Sequence, residues 1–215
     1  MGDGMKGDEF RTVQKEAQAK LIEKKSKFIA YVRPVSAEEE ALALISEMRT
    51  RHFDASHNVY AYAIRDNNIQ RYSDDGEPSG TAGMPVLEAI KNEKLTNIAV
   101  VVTRYFGGTL LGTGGLVRAY GAVARLGITE AEPITQTLCD IYSVKCEYGM
   151  LGKLQYDING AGYNIEGIDY TEDASIRVFV KVGMESEFES LTANSSLGQA
   201  IITKIAQKYV NIKTK

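Results

Sequence analysis

The stretch RYFGGTLLGTGGLVRAYGAVARLG, Arg104 to Gly127, decides how this chain is to be read. It opens on the end of NIAVVVTRY, an almost continuous run of β-forming residues that reads as a strand covered on both faces. It closes on a segment with helical spacing, expected from about Gly115 to Gly127, with Gly127 as the stop signal. At 100° per residue, Leu116, Val117, Ala119, Tyr120, Val123 and Ala124 share one arc that faces a core. Arg118 and Arg125 lie seven apart on the other side, with the small residues Gly121 and Ala122 between them.

The glycines between strand and helix supply backbone N–H groups near a helix start, where the macrodipole favours an anion. Arginine suits phosphate because its planar fork binds oxygens in pairs. Arg104, Gly107, Gly108, Gly112, Gly114, Gly115, Arg118 and Arg125 therefore form a candidate anion or nucleic-acid site, within a segment that has no acidic residue. The spacing is neither that of a P-loop, which ends in Gly-Lys-Ser/Thr, nor that of a dinucleotide fingerprint, so no nucleotide cofactor is expected. The alternative is structural: glycines for a sharp turn and close packing, arginines on a solvated face.

Upstream, SKFIAYVRP suggests one strand of a hairpin, and Ser36 with Glu39 reads as a capping box ahead of a helix carrying Ala41, Leu42, Ile45 and Met48 inward. HNVYAYAIR alternates cleanly, Val59, Ala61 and Ala63 against Tyr60, Tyr62 and Ile64, and is a strand. After the turn DNN and the short strand IQRY comes the polar loop SDDGEPSGTAG, then the helix MPVLEAIKNEK with Pro85 placed early. Asp74, Asp75 and Glu77 lie within four positions, and with His57 they form a candidate metal site of the oxygen-rich kind. A plain turn is the competing reading, and a third is that these carboxylates pair with the arginines of the glycine segment and leave no catalyst. His52 follows Arg51 at a helix end, where a positive side chain is favoured, and is read as structural.

The net charge of −3 removes a chain-wide basic excess as an argument for nucleic acid, so any such contact must be local. Hydrophobic residues at 44% and charged residues at 25% are enough for a sizeable core. Cys139 and Cys146, seven apart on one strand, point to opposite faces and read as reduced core thiols. The start MGDGMKGDEF has no apolar leader core and no window spans a bilayer, so a soluble cytoplasmic protein without a membrane partner is expected.

Pro133 marks a boundary at which the pattern restarts. TQTLCDIYSVKCEY, GMLGKLQYDING, YNIEGIDYT, ASIRVFVKVG, SEFESLTANSS and AQKYVNIKT read as βαββαβ, the ferredoxin-like order. Two α+β domains are expected, residues 11–132 and 136–215.

Taken in order, RYSDDGEPSGTAGMPVLEAI and NIAVVVTRYFGGTLLGTGGLVRAYGAVA closely resemble the signature of the IMPACT/YigZ family. The resemblance implies a first domain of the ribosomal protein S5 domain 2 type and a ferredoxin-like second domain similar to the last domain of elongation factor G. It also implies an association with translation. Eukaryotic relatives restrain a starvation-responsive kinase by binding its activator, using an extra RWD domain, and this chain resembles the bacterial type without it. Three readings follow, in order: a binding protein for RNA or the ribosome; a regulator that binds a translation factor or another protein; a metal-dependent hydrolase. The first two, which are not enzymes, rank ahead of the third.

Overall fold

The computed structural model describes residues 8–212, so the first seven residues of MGDGMKGDEF and the last three of the chain lie outside the described residues. The chain divides into two compact units, Phe10–Ile134 and a second comprising Thr135 onward together with the residues up to Glu9. Strand β1 (Glu9–Val13) crosses the first boundary.

In the first unit, β2 (Ala17–Glu23) and β3 (Ser26–Pro34) form a hairpin. Its two-residue turn is Lys24-Lys25, both at positive φ, in the mirror-image geometry that matches the twist of paired strands. Helix α1 (Glu38–Arg51), β4 (His57–Ile64), a single 3₁₀ turn at Asp66–Asn68 and β5 (Ile69–Ser73) follow. The unit is completed by α2 (Gly83–Asn92), β6 (Ile98–Tyr105) and α3 (Thr113–Glu130). The sheet runs β2-β3-β6-β4-β5, with every pairing antiparallel.

Alternation decides which helix covers which face. Phe28, Ala30, Val59, Ala61, Val100 and Val102 pack with α2 and α3. Ile29, Tyr31, Tyr62, Ile64, Ala99 and Val101 pack with α1 through Ala41, Leu44, Ile45 and Met48. The central strand β6 is therefore buried from Ile98 to Arg104, as its apolar run requires.

Three local readings are corrected. The N-cap of α1 is Ala37, and the carboxylate that reaches back to the Ser36 N–H, at 2.6 Å, is Glu40 rather than Glu39. Leu42 is exposed and Leu44 is buried in its place, because the helix starts two residues after Ser36 and the inward stripe is set by Ala41, Leu44, Ile45 and Met48. Helix α3 does not stop at Gly127 but runs on to Glu130. A Cβ at Gly127 would stand 2.9 Å from Val32 Cγ2 and 3.1 Å from Ala30 Cβ, so this glycine lets α3 lie close against β3.

In the second unit, β7 (Pro133–Cys146), α4 (Tyr148–Gly160), β8 (Asn164–Tyr170), β9 (Ala174–Lys181), α5 (Glu185–Ser195) and β10 (Ile201–Val210) follow in the βαββαβ order. The strands lie β10-β7-β9-β8, all antiparallel, and this is the ferredoxin-like arrangement. Leu154 and Ile158 of α4 and Phe188 of α5 pack on Tyr142, Val144, Ile176 and Val178. The last strand begins at Ile201, five residues before Ala206, because a bulge between Lys204 and Ala206 interrupts the alternation that would have marked its start. Cys139 and Cys146 are free and buried, and burial raises both thiols, Cys139 to about 11.

Candidate functional site

The loop between β5 and α2 divides its carboxylates among different tasks. Asp74 accepts the backbone N–H groups of Gly80, Ala82 and Gly83 at 2.8–3.0 Å and so caps α2, whose own N-cap residue, Ala82, has no side chain able to do it. Asp75, at φ +46°, accepts the Asn58 N–H at 2.6 Å and pairs with Arg49 at 2.9 Å. Its carbonyl oxygen lies 2.8 Å from His57 Nδ1. A carbonyl can only accept, so Nδ1 carries a proton, and in the neutral ring the lone pair is on Nε2.

Glu77 turns inward. Its Oε1 accepts from Arg104 Nη1 at 2.6 Å and from the Tyr120 hydroxyl at 2.7 Å, while His57 Nε2 stands 3.8 Å away. Burial first, and then this bond to a carboxylate, push the Tyr120 hydroxyl far above its ordinary range, so Tyr120 serves as a fixed donor. Tyr120 lies on the buried arc of α3, and its ring meets Phe28 edge-on at 5.1 Å. Among the described residues, no three His, Cys, Asp or Glu side chains come together in a way that could hold a metal ion.

Arg104 is 5% exposed, and its guanidinium lies over the rings of Phe28 and Phe106. The acidic partner missing from its own segment comes from Glu77, 27 residues upstream. Ser26 Oγ accepts from the Gly107 N–H at 3.2 Å, and Gly107 approaches Lys25 so closely that a Cβ would stand 2.0 Å from that residue's carbonyl carbon. Gly108 and Gly112 sit at φ +79° and +73°, and Gly112 is the N-cap of α3. Gly114 and Gly115 belong to the first turn of α3, with Gly115 against Leu111.

Arg118 and Arg125 are exposed on α3 and make no ion pair among the described residues. Gly121 is buried where α3 meets α2, and a Cβ there would stand 3.3 Å from Arg125 Nη1 and 3.9 Å from Pro85 Cβ, so its missing side chain leaves room for the Arg125 guanidinium. Ala122, half-buried, is the other small residue between the arginines. Arg118 stands over a shallow groove shared with Leu21, Glu23 and Lys24 of the hairpin.

Behind the glycine loop lies a cavity of about 420 Å³. Phe106, Leu110, Leu111, Leu116 and Pro78 give it carbon walls. Glu77, Arg104 and His57 form its polar side, and Gly112 and Thr113 bring the start of α3 to it. This cavity was missed in the sequence because its polar groups come from three separated segments.

A second polar cluster lies on the α1 side of the sheet. The Tyr31 hydroxyl donates to His52 Nε2 at 2.6 Å, His52 Nδ1 donates to Tyr105 at 2.9 Å, and Tyr105 donates to Asp54 at 3.0 Å. Burial, then the charge of Arg51, lower the His52 pKa, so the ring at the end of α1 is neutral rather than the positive cap expected. A histidine whose folded pKa lies below the unfolded 6.5 contributes stability that is complete above that value and is lost as pH falls through the folded pKa. Urea midpoints measured from pH 7.5 to 5 should therefore decline below about 6.5, and His52→Gln should flatten that decline. An equal decline in both proteins would remove His52 as its source.

The model described as "Impact N-terminal domain" matches residues 24–128, and "Domain of unknown function (DUF1949)" matches residues 144–199. The chain is 35% identical to the IMPACT family member YvyE of Bacillus subtilis, over 94% of this chain and 93% of that protein. It is 34% identical to the IMPACT family member YigZ of Escherichia coli, over 86% and 92%. A Protein IMPACT homolog of Dictyostelium discoideum matches only 43% of this chain and 28% of its own length, at 37% identity. A solved crystal structure of a hypothetical protein superposes with a TM-score of 0.59 at 31% identity, covering 93% of this chain and 98% of that one.

Proposed function

The chain belongs to the IMPACT family, and on that premise we propose that it is a translation-associated binding protein that contacts the RNA backbone, free or on the ribosome, through the outer face of α3. The observation that carries this reading is the pair Arg118 and Arg125, exposed on one helix face and without an acidic partner among the described residues. Arg104 is excluded from such a surface by its pairing with Glu77, so the contact rests on two guanidinium groups rather than three. Unpaired guanidinium groups bind phosphate oxygens in pairs and release counterions as they do so. The setting in translation is supported by the resemblance of the long glycine and arginine motifs, and a regulatory role is the coarser form of the same reading. The hydrolase reading has no support in the geometry, since Asp74, Asp75, Glu77 and His57 are not arranged around one ion among the described residues.

Co-sedimentation with ribosomes and with free RNA over a salt series tests the proposal. Wild-type binding should weaken as salt rises. Arg118→Ala/Arg125→Ala should bind more weakly, with the slope of log affinity against log salt reduced by about 1.4–1.8 for two lost phosphate contacts. Equal affinity and equal slope in the two proteins would overturn it.

A further inference from the structure

The cavity behind the glycine loop is separate from the exposed arginines, and its unmet hydrogen-bonding capacity has a direction. Arg104 Nε is buried with no partner among the described residues, on a residue that is only 5% exposed. The first N–H groups of α3 cannot be paired within the helix, and its N-cap, Gly112, has no side chain to receive them. Both vacancies are donors, and the residues that carry them, Arg104 at one end and Gly112 with Thr113 at the other, line the same space. A ligand there must bring acceptor oxygens, and the positive end of α3 favours a charged group.

The same space also holds two acceptors. His57, with Nδ1 bonded to Asp75, offers the Nε2 lone pair of its neutral ring, and Glu77 carries a carboxylate whose two bonds both fall on Oε1. A simple anion would meet the charge of Glu77, and a simple cation would meet that of Arg104. A molecule with both charges at one end avoids each conflict, lying against the ion pair with opposite polarity. The remaining walls, Phe106, Leu110, Leu111 and Leu116, require the rest of the molecule to be hydrocarbon. The volume of about 420 Å³ is at the low end of small-ligand sites, roughly 300–1,000 Å³, and suits one large side chain better than a nucleotide.

We propose that this cavity binds a free apolar α-amino acid of leucine or phenylalanine size. The carboxylate lies on the N–H groups at the start of α3 and on Arg104, the ammonium on Glu77 and His57 Nε2, and the side chain between Phe106 and Leu116.

Titrating the full chain with L-leucine and L-phenylalanine while following backbone amide resonances tests it. Saturable shifts are expected at Gly112–Gly115 and Phe106. Three truncated probes divide the site. 4-Methylpentanoate lacks the ammonium, isoamylamine lacks the carboxylate, and L-serine lacks the hydrocarbon. Each should bind about tenfold more weakly or worse, the usual consequence of losing a bond to a charged group or the apolar contact. Leu110→Asp alters a side chain that is 83% exposed at the rim, so it should abolish the shifts while leaving the melting temperature unchanged. No saturable shift with either amino acid would overturn the proposal. So would 4-methylpentanoate binding as tightly as leucine, since the ammonium would then have no site.

Discussion

Glu77→Ala is expected to destabilise the first unit by about 3–5 kcal/mol, because it leaves the Arg104 guanidinium buried and uncompensated. Side-chain exposures of 6% for Arg104 and 3% for Glu77 leave both charges little contact with water, and the Tyr120 hydroxyl would lose its acceptor in the same step. Urea unfolding measures the loss directly, with the slope of the transition checked for constancy. The companion variant Glu77→Leu/Arg104→Met removes both charges and should recover most of the loss, since an apolar pair of similar volume has no orphaned ion. A loss below about 1 kcal/mol for Glu77→Ala would mean that the pair behaves as an exposed one.

Gly107→Ala is expected to destabilise the first unit by about 1–3 kcal/mol or more. The added methyl would fall 2.0 Å from the Lys25 carbonyl carbon, 2.1 Å from its oxygen and 2.5 Å from the Ser26 nitrogen. All three are backbone atoms of the hairpin turn, so nothing flexible can give way. Either the hairpin lifts or the loop after β6 moves, and the second outcome would also disturb Phe106 and the cavity behind it. Gly108→Ala is the control: a Cβ there meets nothing within 4 Å, and its cost is limited to the strain of φ +79°. The difference in urea midpoint between the two variants isolates the contact from the backbone preference.

Periodicity carried the fold well where it was regular. The two faces of His57–Ile64 and the doubly covered strand at Ile98–Tyr105 follow from spacing alone, because burial on one or both faces leaves a direct imprint on residue order. Gly127 misled because a glycine's usual meaning at a helix end is local, whereas here its purpose is tertiary: Val32 and Ala30 lie against it. Leu42 misled because one stripe position can be filled by either of two leucines until the helix start is known. At the site, a carboxylate from the SDDGEP loop pairing with an arginine of the glycine segment was one of the open alternatives. Which partners meet depends on β4 lying next to β6, with His57 opposite Arg104, and strand neighbours are not written in the spacing of either segment. The cavity walls were illegible for the same reason, since Phe106, Leu111 and Leu116 gain a common space only after the glycines turn the chain.

The three bonds from Asp74 to Gly80, Ala82 and Gly83 also set a rule of editing. They make the span from Asp74 to Gly83 a closed ring of fixed circumference, in which one inserted or deleted residue would break the start of α2. Substitution and length are thus decoupled: Ser79, exposed at the outer rim, can be exchanged or labelled freely, while the number of links in the ring cannot change. A fluorophore on that side chain would report on the neighbourhood of Glu77 without lengthening the tether that holds it in place.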